Sequence, residues 1–311
     1  MIKEVIFSLQ APYREEMKIY GYTFGKGNKS ACIVGPTRGN EVQQLYACSQ
    51  LVRILSKLER TGGILSNNKI LVIPSVNYYS MNIEKRFWAM DNSDINKKFP
   101  GDMEGETTER IAAAVFEKVS GYNYGIQFAS FHTPGEFLPH VRLMETGDEN
   151  SSLANLFGLP FVVLRKPEPF DYGTLNYNWQ INGTSAFSVY SNATETIDED
   201  SESQMVASVL RFLTRMGIIK FNCHSGYIAS IIEEEALMPI RVDVSGIYRP
   251  LKKPGDEVKF GELLAEVINP MEGEVISQIL APSDGVIFFS HTKPLVMQNG
   301  IVYQLLRRLH M

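Results

Sequence analysis

The stretch Ala31-Cys32-Ile33-Val34-Gly35-Pro36-Thr37-Arg38-Gly39-Asn40-Glu41 runs from a short apolar segment through a Gly-Pro break into an amphipathic one. Behind Glu41, the apolar residues Val42, Leu45, Tyr46, Val52, Leu55 and Leu58 recur with helical spacing, which predicts a helix over about 40–60. Thr61-Gly62-Gly63 is a glycine stop for it. A strand, a tight loop and a helix in that order build a site at the carboxyl end of the strand. The loop and the first helical turn would present Arg38 and Glu41 there, although Gly-Asn-Glu also serves simply as a helix start.

On the amino-terminal side, residues 1–9 and 17–24 alternate as two strands joined by a turn containing Pro12, with the run at 31–35 as a third. On the other side, Lys69 to Pro74 is a continuous apolar run, as expected of a strand buried on both faces, and strand-helix-strand order implies parallel pairing. Residues Asn77 to Asp102 form a long loop rich in Asn, Ser and Asp, which in a compact fold is usually functional. A helix follows over Thr107 to Val119, then a buried strand from Tyr124 that delivers His132 at its end. Phe161–Leu164, Asn176–Ile181 and Ala186–Tyr190 read as further strands, and Ser201 to Arg215 as a helix stopped by Gly217. The acids Asp198, Glu199, Asp200 and Glu202 suit the positive amino-terminal end of that helix. Residues 221–240 read as a connector. From Arg241 the texture changes to short strands with turn signals such as Lys253-Pro-Gly-Asp256 and Ala281-Pro-Ser-Asp-Gly285, the pattern of a small β module over 241–311.

With 311 residues, 44% of them apolar, the chain can bury a large core, and two domains are the default. A formal charge of −5 and the absence of a basic stripe argue against nucleic acid as a partner. The first nine residues contain Glu4 and no cleavable apolar region, and no segment has the length of a membrane span. The expectation is a soluble, cytoplasmic protein. Cys32, Cys48 and Cys223 lack metal-ligand spacing and read as reduced thiols.

The 35–41 loop, the segment Asp94-Ile95-Asn96-Lys97-Lys98-Phe99-Pro100-Gly101 and the strand ending in His132 together resemble the succinylglutamate desuccinylase/aspartoacylase family of zinc-dependent deacylases. The resemblance implies an α/β zinc-carboxypeptidase-like mixed sheet flanked by helices over 1–220. It also implies an appended β-barrel, to which Gly246-Ile247, Gly261 and the turns quoted above correspond. In the family a His-Gly-Asn/Asp-Glu loop and a later Asp-Leu-His supply three zinc ligands, leaving one position for water. Glu41 and His132 match two of those ligands, but the first histidine is Arg38, whose guanidinium has no lone pair to give a metal. The aspartate of Asp-Leu-His is Ser130. Tyr190 falls at the general-base glutamate, and a phenol is a poor base near neutral pH; Glu195 stands in only if the register slips.

The resemblance further implies that Arg86, nine residues after Asn77, binds a substrate carboxylate together with Asn96 and Lys97, the counterpart of an Asn-Arg pair. Arg38 could neutralise Glu41 as the metal does elsewhere in the family. His140 is a candidate replacement ligand, and His224, after Cys223, a weaker one. The barrel resembles biotinyl/lipoyl carrier domains, but its tip, Asn269-Pro270-Met271-Glu272-Gly273, holds no lysine, so neither biotin nor lipoate is expected. Three functions are thereby in view. The first is a catalytically impaired relative that binds a small carboxylate or acyl-amino-acid ligand. The second is an active, divergent zinc-dependent amide hydrolase using Glu41, His132 and a third ligand not identified in the sequence. The third is a structural subunit whose barrel drives assembly, a homo-oligomer included.

Overall fold

A computed structural model describes residues 1–11, 14–131 and 134–307. Pro12, at the expected first turn, and His132, an expected metal ligand, lie outside the described residues. The chain opens with β1 (Ile2–Ala11), β2 (Arg14–Gly25), β3 (Gly27–Val34) and β4 (Asn67–Ile73), and continues with β5 (Tyr124–Ala129) and the short β6 (Gly135–Phe137). Then come β7 (His140–Met144), β8 (Phe161–Arg165), β9 (Ser185–Tyr190) and β10 (Ser230–Glu233). All of these except β6 form one nine-stranded sheet in the order β1-β2-β4-β3-β5-β9-β7-β8-β10. Its centre, β4-β3-β5-β9, is parallel, and β7 runs antiparallel to β9, so the sheet is mixed.

Among the described residues, six α-helices accompany it: α1 (Val42–Arg60), α2 (Tyr78–Met81), α3 (Thr107–Val119), α4 (Ser151–Asn155), α5 (Leu175–Ile181) and α6 (Glu199–Arg215). Two apolar clusters divide the core. One gathers Leu51 and Leu55 of α1 with Val209 and Phe212 of α6; the other gathers Ile111 and Val115 of α3 with Trp179 of α5. The apolar steps of three and four in α1, α3 and α6 thus bury one stripe of each helix. Asp198 caps α6, accepting from the Ser201 amide at 3.0 Å, with Glu199, Asp200 and Glu202 in its first turn as their charge suits.

Two expectations are corrected. Asn176–Ile181 is not a strand but most of α5, capped by Thr174, whose hydroxyl accepts from the Tyr177 amide. The alternation of Tyr177, Trp179 and Ile181 suggested a period of two, yet Trp179 is fully buried and Ile181 half exposed, as a helix requires. The strand β7 falls where none was expected, because His140 and Arg142 interrupt its apolar run; both are buried. The stretch 221–240 carries β10, which joins the large sheet beside β8, and most of β11 (Leu237–Arg241), which belongs to a second sheet.

The remaining strands are β12 (Gly246–Pro250), β13 (Glu257–Val258), β14 (Leu263–Ile268), β15 (Val275–Leu280), β16 (Gly285–His291), β17 (Leu295–Val296) and β18 (Ile301–Arg307). They form two antiparallel sheets, β11-β18-β16-β13 and β15-β14-β12-β17, around a core of Leu264, Val267, Ile287, Val302 and Leu305. β6 leaves the α/β part to pair with β16, so the carboxy-terminal sheets sit directly against the end of β5.

Candidate functional site

The loop after β3 is pressed between two backbones. A Cβ on Gly35 would stand 2.2 Å from the Pro74 carbonyl oxygen, and one on Gly39 would stand 2.2 Å from that of Lys85. Only glycine fits at either position, and the loop is pinned by Gly35 N–H to Ile73 O (2.9 Å) and Gly39 N–H to Arg86 O (2.8 Å). Arg38 and Glu41 are therefore held in place before any ligand arrives.

Glu41 curls back on that loop. Its Oε2 accepts the Thr37 and Arg38 amides, both at 3.0 Å, while Oε1 accepts the Ser130 hydroxyl and Arg38 Nη1 at 3.4 Å. An ionised carboxylate offers about four acceptor positions, and all four are in use. The Arg38 guanidinium continues to Asp94 Oδ2 through Nε (3.2 Å) and Nη2 (2.9 Å). Burial alone would lower the Arg38 pKa, but Glu41 and Asp94 outweigh it and hold the group above its ordinary value. Asp94 in turn caps the 3-10 turn Ile95–Lys97 through the Asn96 amide, and Asn96 Oδ1 accepts from Gln127 Nε2 at 3.1 Å.

Of these residues, Arg38, Glu41, Asn96, Gln127 and Ser130 line a cavity of about 570 Å³ at the carboxyl ends of β5 and β9, together with Arg142, Arg165, Phe170, Ser188, Tyr190 and Glu234. Of the residues singled out in the sequence, Arg38, Glu41, Asn96, Lys97 and Tyr190 meet there. Arg86 lies in an adjoining cleft of about 250 Å³ with Asn40, Glu195 and Lys293, the two spaces sharing Phe131 as a wall. Arg86 Nη2 donates to the Phe131 carbonyl at 3.2 Å, and burial, reinforced by Arg38, lowers its pKa from the ordinary guanidinium value. Asn77 caps α2 through the Ser80 amide.

The histidines do not supply a replacement ligand from within the described residues. His140 is fully buried behind Tyr190, its ring stacked on the phenol at 4.7 Å and its Nδ1 bonded to Leu138 O at 2.8 Å. Burial, with the Arg142 charge, pushes its pKa down to about 3, so it is neutral. His224 is exposed, and its carbonyl accepts from Arg211 Nε. No group of three His, Cys, Asp or Glu side chains among the described residues could hold a metal ion. Among the described residues, a Glu41 with every acceptor position filled beside an Arg38 guanidinium that has no lone pair is a donor set that does not fit zinc.

Sequence reasoning missed three charged residues that line this cavity. Arg142 sits on the unexpected β7, Arg165 ends β8, and Glu234 follows β10, three strands that neighbour one another only in the folded sheet. It also missed Gln43 and Gln44, polar yet fully buried in the first turn of α1. Gln43 exchanges two hydrogen bonds with the Asp198 backbone, and Gln44 donates to the Ala129 carbonyl. A pair of glutamines on the inward face of an amphipathic helix was the available signal.

Residues 28–215 match the family model of the succinylglutamate desuccinylase/aspartoacylase catalytic domain. The chain belongs to that family. The product-bound ectoine utilization protein EutE of Ruegeria pomeroyi superimposes with a TM-score of 0.79 at 17% identity, covering 93% of this chain and 89% of that one. A succinylglutamate desuccinylase of Silicibacter sp. TM1040 superimposes with a TM-score of 0.81 at 17% identity, covering 97% and 92%. At such identities these likenesses speak to the fold. By sequence, an N-alpha-acetyl-L-2,4-diaminobutyric acid deacetylase of Halomonas elongata is 28% identical over 83 residues, 27% of this chain. That match spans only 22% of the relative's length. Membership of this deacylase family accounts for the sheet and the cavity at its strand ends. Among the described residues no helix is long and apolar enough to cross a membrane.

Proposed function

We propose that this chain is a deacylase-family protein in which Arg38 has taken the place of the catalytic metal, leaving a binding site for a small carboxylate or acyl-amino-acid ligand. The observation that carries this reading is the ion-pair chain Glu41–Arg38–Asp94, in which the family's metal-ligand glutamate has every acceptor position filled. Two further features support it: Tyr190, which the resemblance sets at the general-base position, lines the cavity, and so do Asn96 and Lys97. Lys97 Nζ lies 4.7 Å over the Phe170 ring, and no ion pair engages it among the described residues.

The test is metal content by elemental analysis of protein expressed with zinc supplied and purified without chelator. No stoichiometric metal is expected, together with thermal stabilisation by members of a carboxylate panel. One zinc per chain with hydrolysis of acyl-amino acids would overturn the proposal in favour of an active hydrolase using Glu41, His132 and a third ligand, a reading favoured by the match to a deacetylase. The variant Arg38→His with Ser130→Asp frees Glu41 Oε1 of both its side-chain partners and is expected to take up zinc where the native chain does not.

A further inference from the structure

We infer that Arg142 is the receptor for a ligand carboxylate and that Glu234 is the chain's own carboxylate standing in that place. This deepens the reading of the cavity as a carboxylate site, and does not depend on whether a metal is bound beside Glu41.

Arg142 is 4% exposed, on β7 between β9 and β8, with its guanidinium carbon 4.8 Å from the Tyr190 ring centre and 5.6 Å from that of Phe131. A buried guanidinium in a functional protein ordinarily meets a full set of acceptors. Here neither Nε nor Nη2 makes a hydrogen bond among the described residues. Among the described residues the one counter-charge is Glu234, whose Oε1 approaches Nη2 to 3.2 Å without the alignment of a hydrogen bond.

Glu234 is shared. Its other oxygen, Oε2, forms an ion pair with Arg165, 2.8 Å from Nε. Arg165 does not need it as Arg142 does, because Asp171 already engages Arg165 end-on, accepting a hydrogen bond from Nη1 at 3.1 Å and pairing with Nη2 at 3.0 Å through its other oxygen. The Glu234 side chain is also the most accessible of the four, at 27% exposure, and sits on the short 3-10 turn Glu234–Ala236 between β10 and β11. A carboxylate entering the cavity can offer Arg142 the aligned, two-pronged contact that Glu234 does not make, while Glu234 turns towards water or stays with Arg165. Arg142 is thus built to recognise an anion with a planar pair of oxygens, and Glu234 keeps it neutralised meanwhile.

The experiment is titration with acetate, followed by NMR at constant pH and ionic strength, with acetamide as the uncharged control. Glu234→Gln is expected to bind acetate roughly tenfold more tightly than the native chain, the order of effect of one charge-assisted hydrogen bond. It is also expected to melt at a lower temperature without acetate and to regain more of that loss when acetate is added. Acetamide should show no gain. Adding Arg142→Gln should abolish the tenfold gain. If that double variant does not fold, Arg142→Lys in the same background, which keeps the charge but loses the fork, should lose most of it. Acetate binding that is no tighter in Glu234→Gln, or a gain that persists without Arg142, would overturn the inference while leaving the carboxylate reading standing. Acetate that binds neither the native chain nor Glu234→Gln would overturn both.

Discussion

Two buried arginines that line one cavity are partnered in opposite ways. Arg38 has two carboxylates to itself, Glu41 and Asp94, and both belong to segments locked by backbone contacts. Arg142 has a share in one, Glu234, at imperfect alignment. A charge neutralised twice over is structural, because a ligand there would have to compete with fixed internal partners. A charge left short of acceptors is available. The contrast is one of partners: Arg38 is fully engaged by carboxylates of its own, and Arg142 is not.

The largest test of this contrast is removal of each arginine in turn. Arg38→Leu leaves Glu41 and Asp94 buried together without a cation, and a loss of about 3–5 kcal/mol in unfolding free energy is expected. Arg142→Leu removes a charge that is only partly compensated and leaves Glu234 with Arg165 and water; about 1 kcal/mol is expected. Urea titrations of both variants measure the difference. Equal losses would mean that Arg142 is as much a part of the scaffold as Arg38.

Next in size is a pH effect that reports on Arg142 from behind. His140, buried and close to that guanidinium, has its pKa pushed from about 6.5 down to about 3. On acidification the unfolded chain takes up this proton first, so the contribution is whole above pH 6.5 and is lost as the pH falls towards 3. Stability should decline over that window, and His140→Leu should decline less. In Arg142→Leu, one cause of the depression is gone, so the imidazole should titrate at a higher pH than in the native chain, as followed by NMR. An unchanged His140 titration would show that burial alone sets it.

Much of the architecture was legible because it is local. The spacing of Leu45, Leu55 and Leu58, the Gly62 stop and the capping acids before Ser201 each fix an element within a dozen residues of sequence. The loop from Gly35 to Glu41 was legible for the same reason, and so was the pairing of Arg38 with Glu41, three positions apart. What was not legible depends on distant partners. Nothing near Arg142 announces that β7 inserts between β9 and β8, or that Glu234 is carried beside it by β10 ninety residues later. Asn176–Ile181 failed for a related reason. Its alternation is satisfied by either period until tertiary packing chooses, and the burial of Trp179 against Gly125, with Asn178 donating to the Phe99 carbonyl, chose the helix.

The smallest effect is expected at the rim, where Lys293, from the loop between β16 and β17, pairs with Glu195 beside Asn40. Burial opposes the Glu195 charge, but Lys293 and Asn40 outweigh it, so the carboxyl sits below its ordinary pKa. The geometry resembles the Arg38 pair, yet both side chains here are exposed, and water screens them. Glu195→Gln keeps an acceptor for Asn40 and loses only the charge, so a change of about 0.5 kcal/mol or less is expected, vanishing near 1 M salt. The Arg38→Leu loss should persist at that salt concentration, since ions do not reach a pair so deeply buried. A Glu195→Gln loss of several kcal/mol that survives high salt would place this pair with Arg38, as part of what holds the carboxy-terminal sheets over the site.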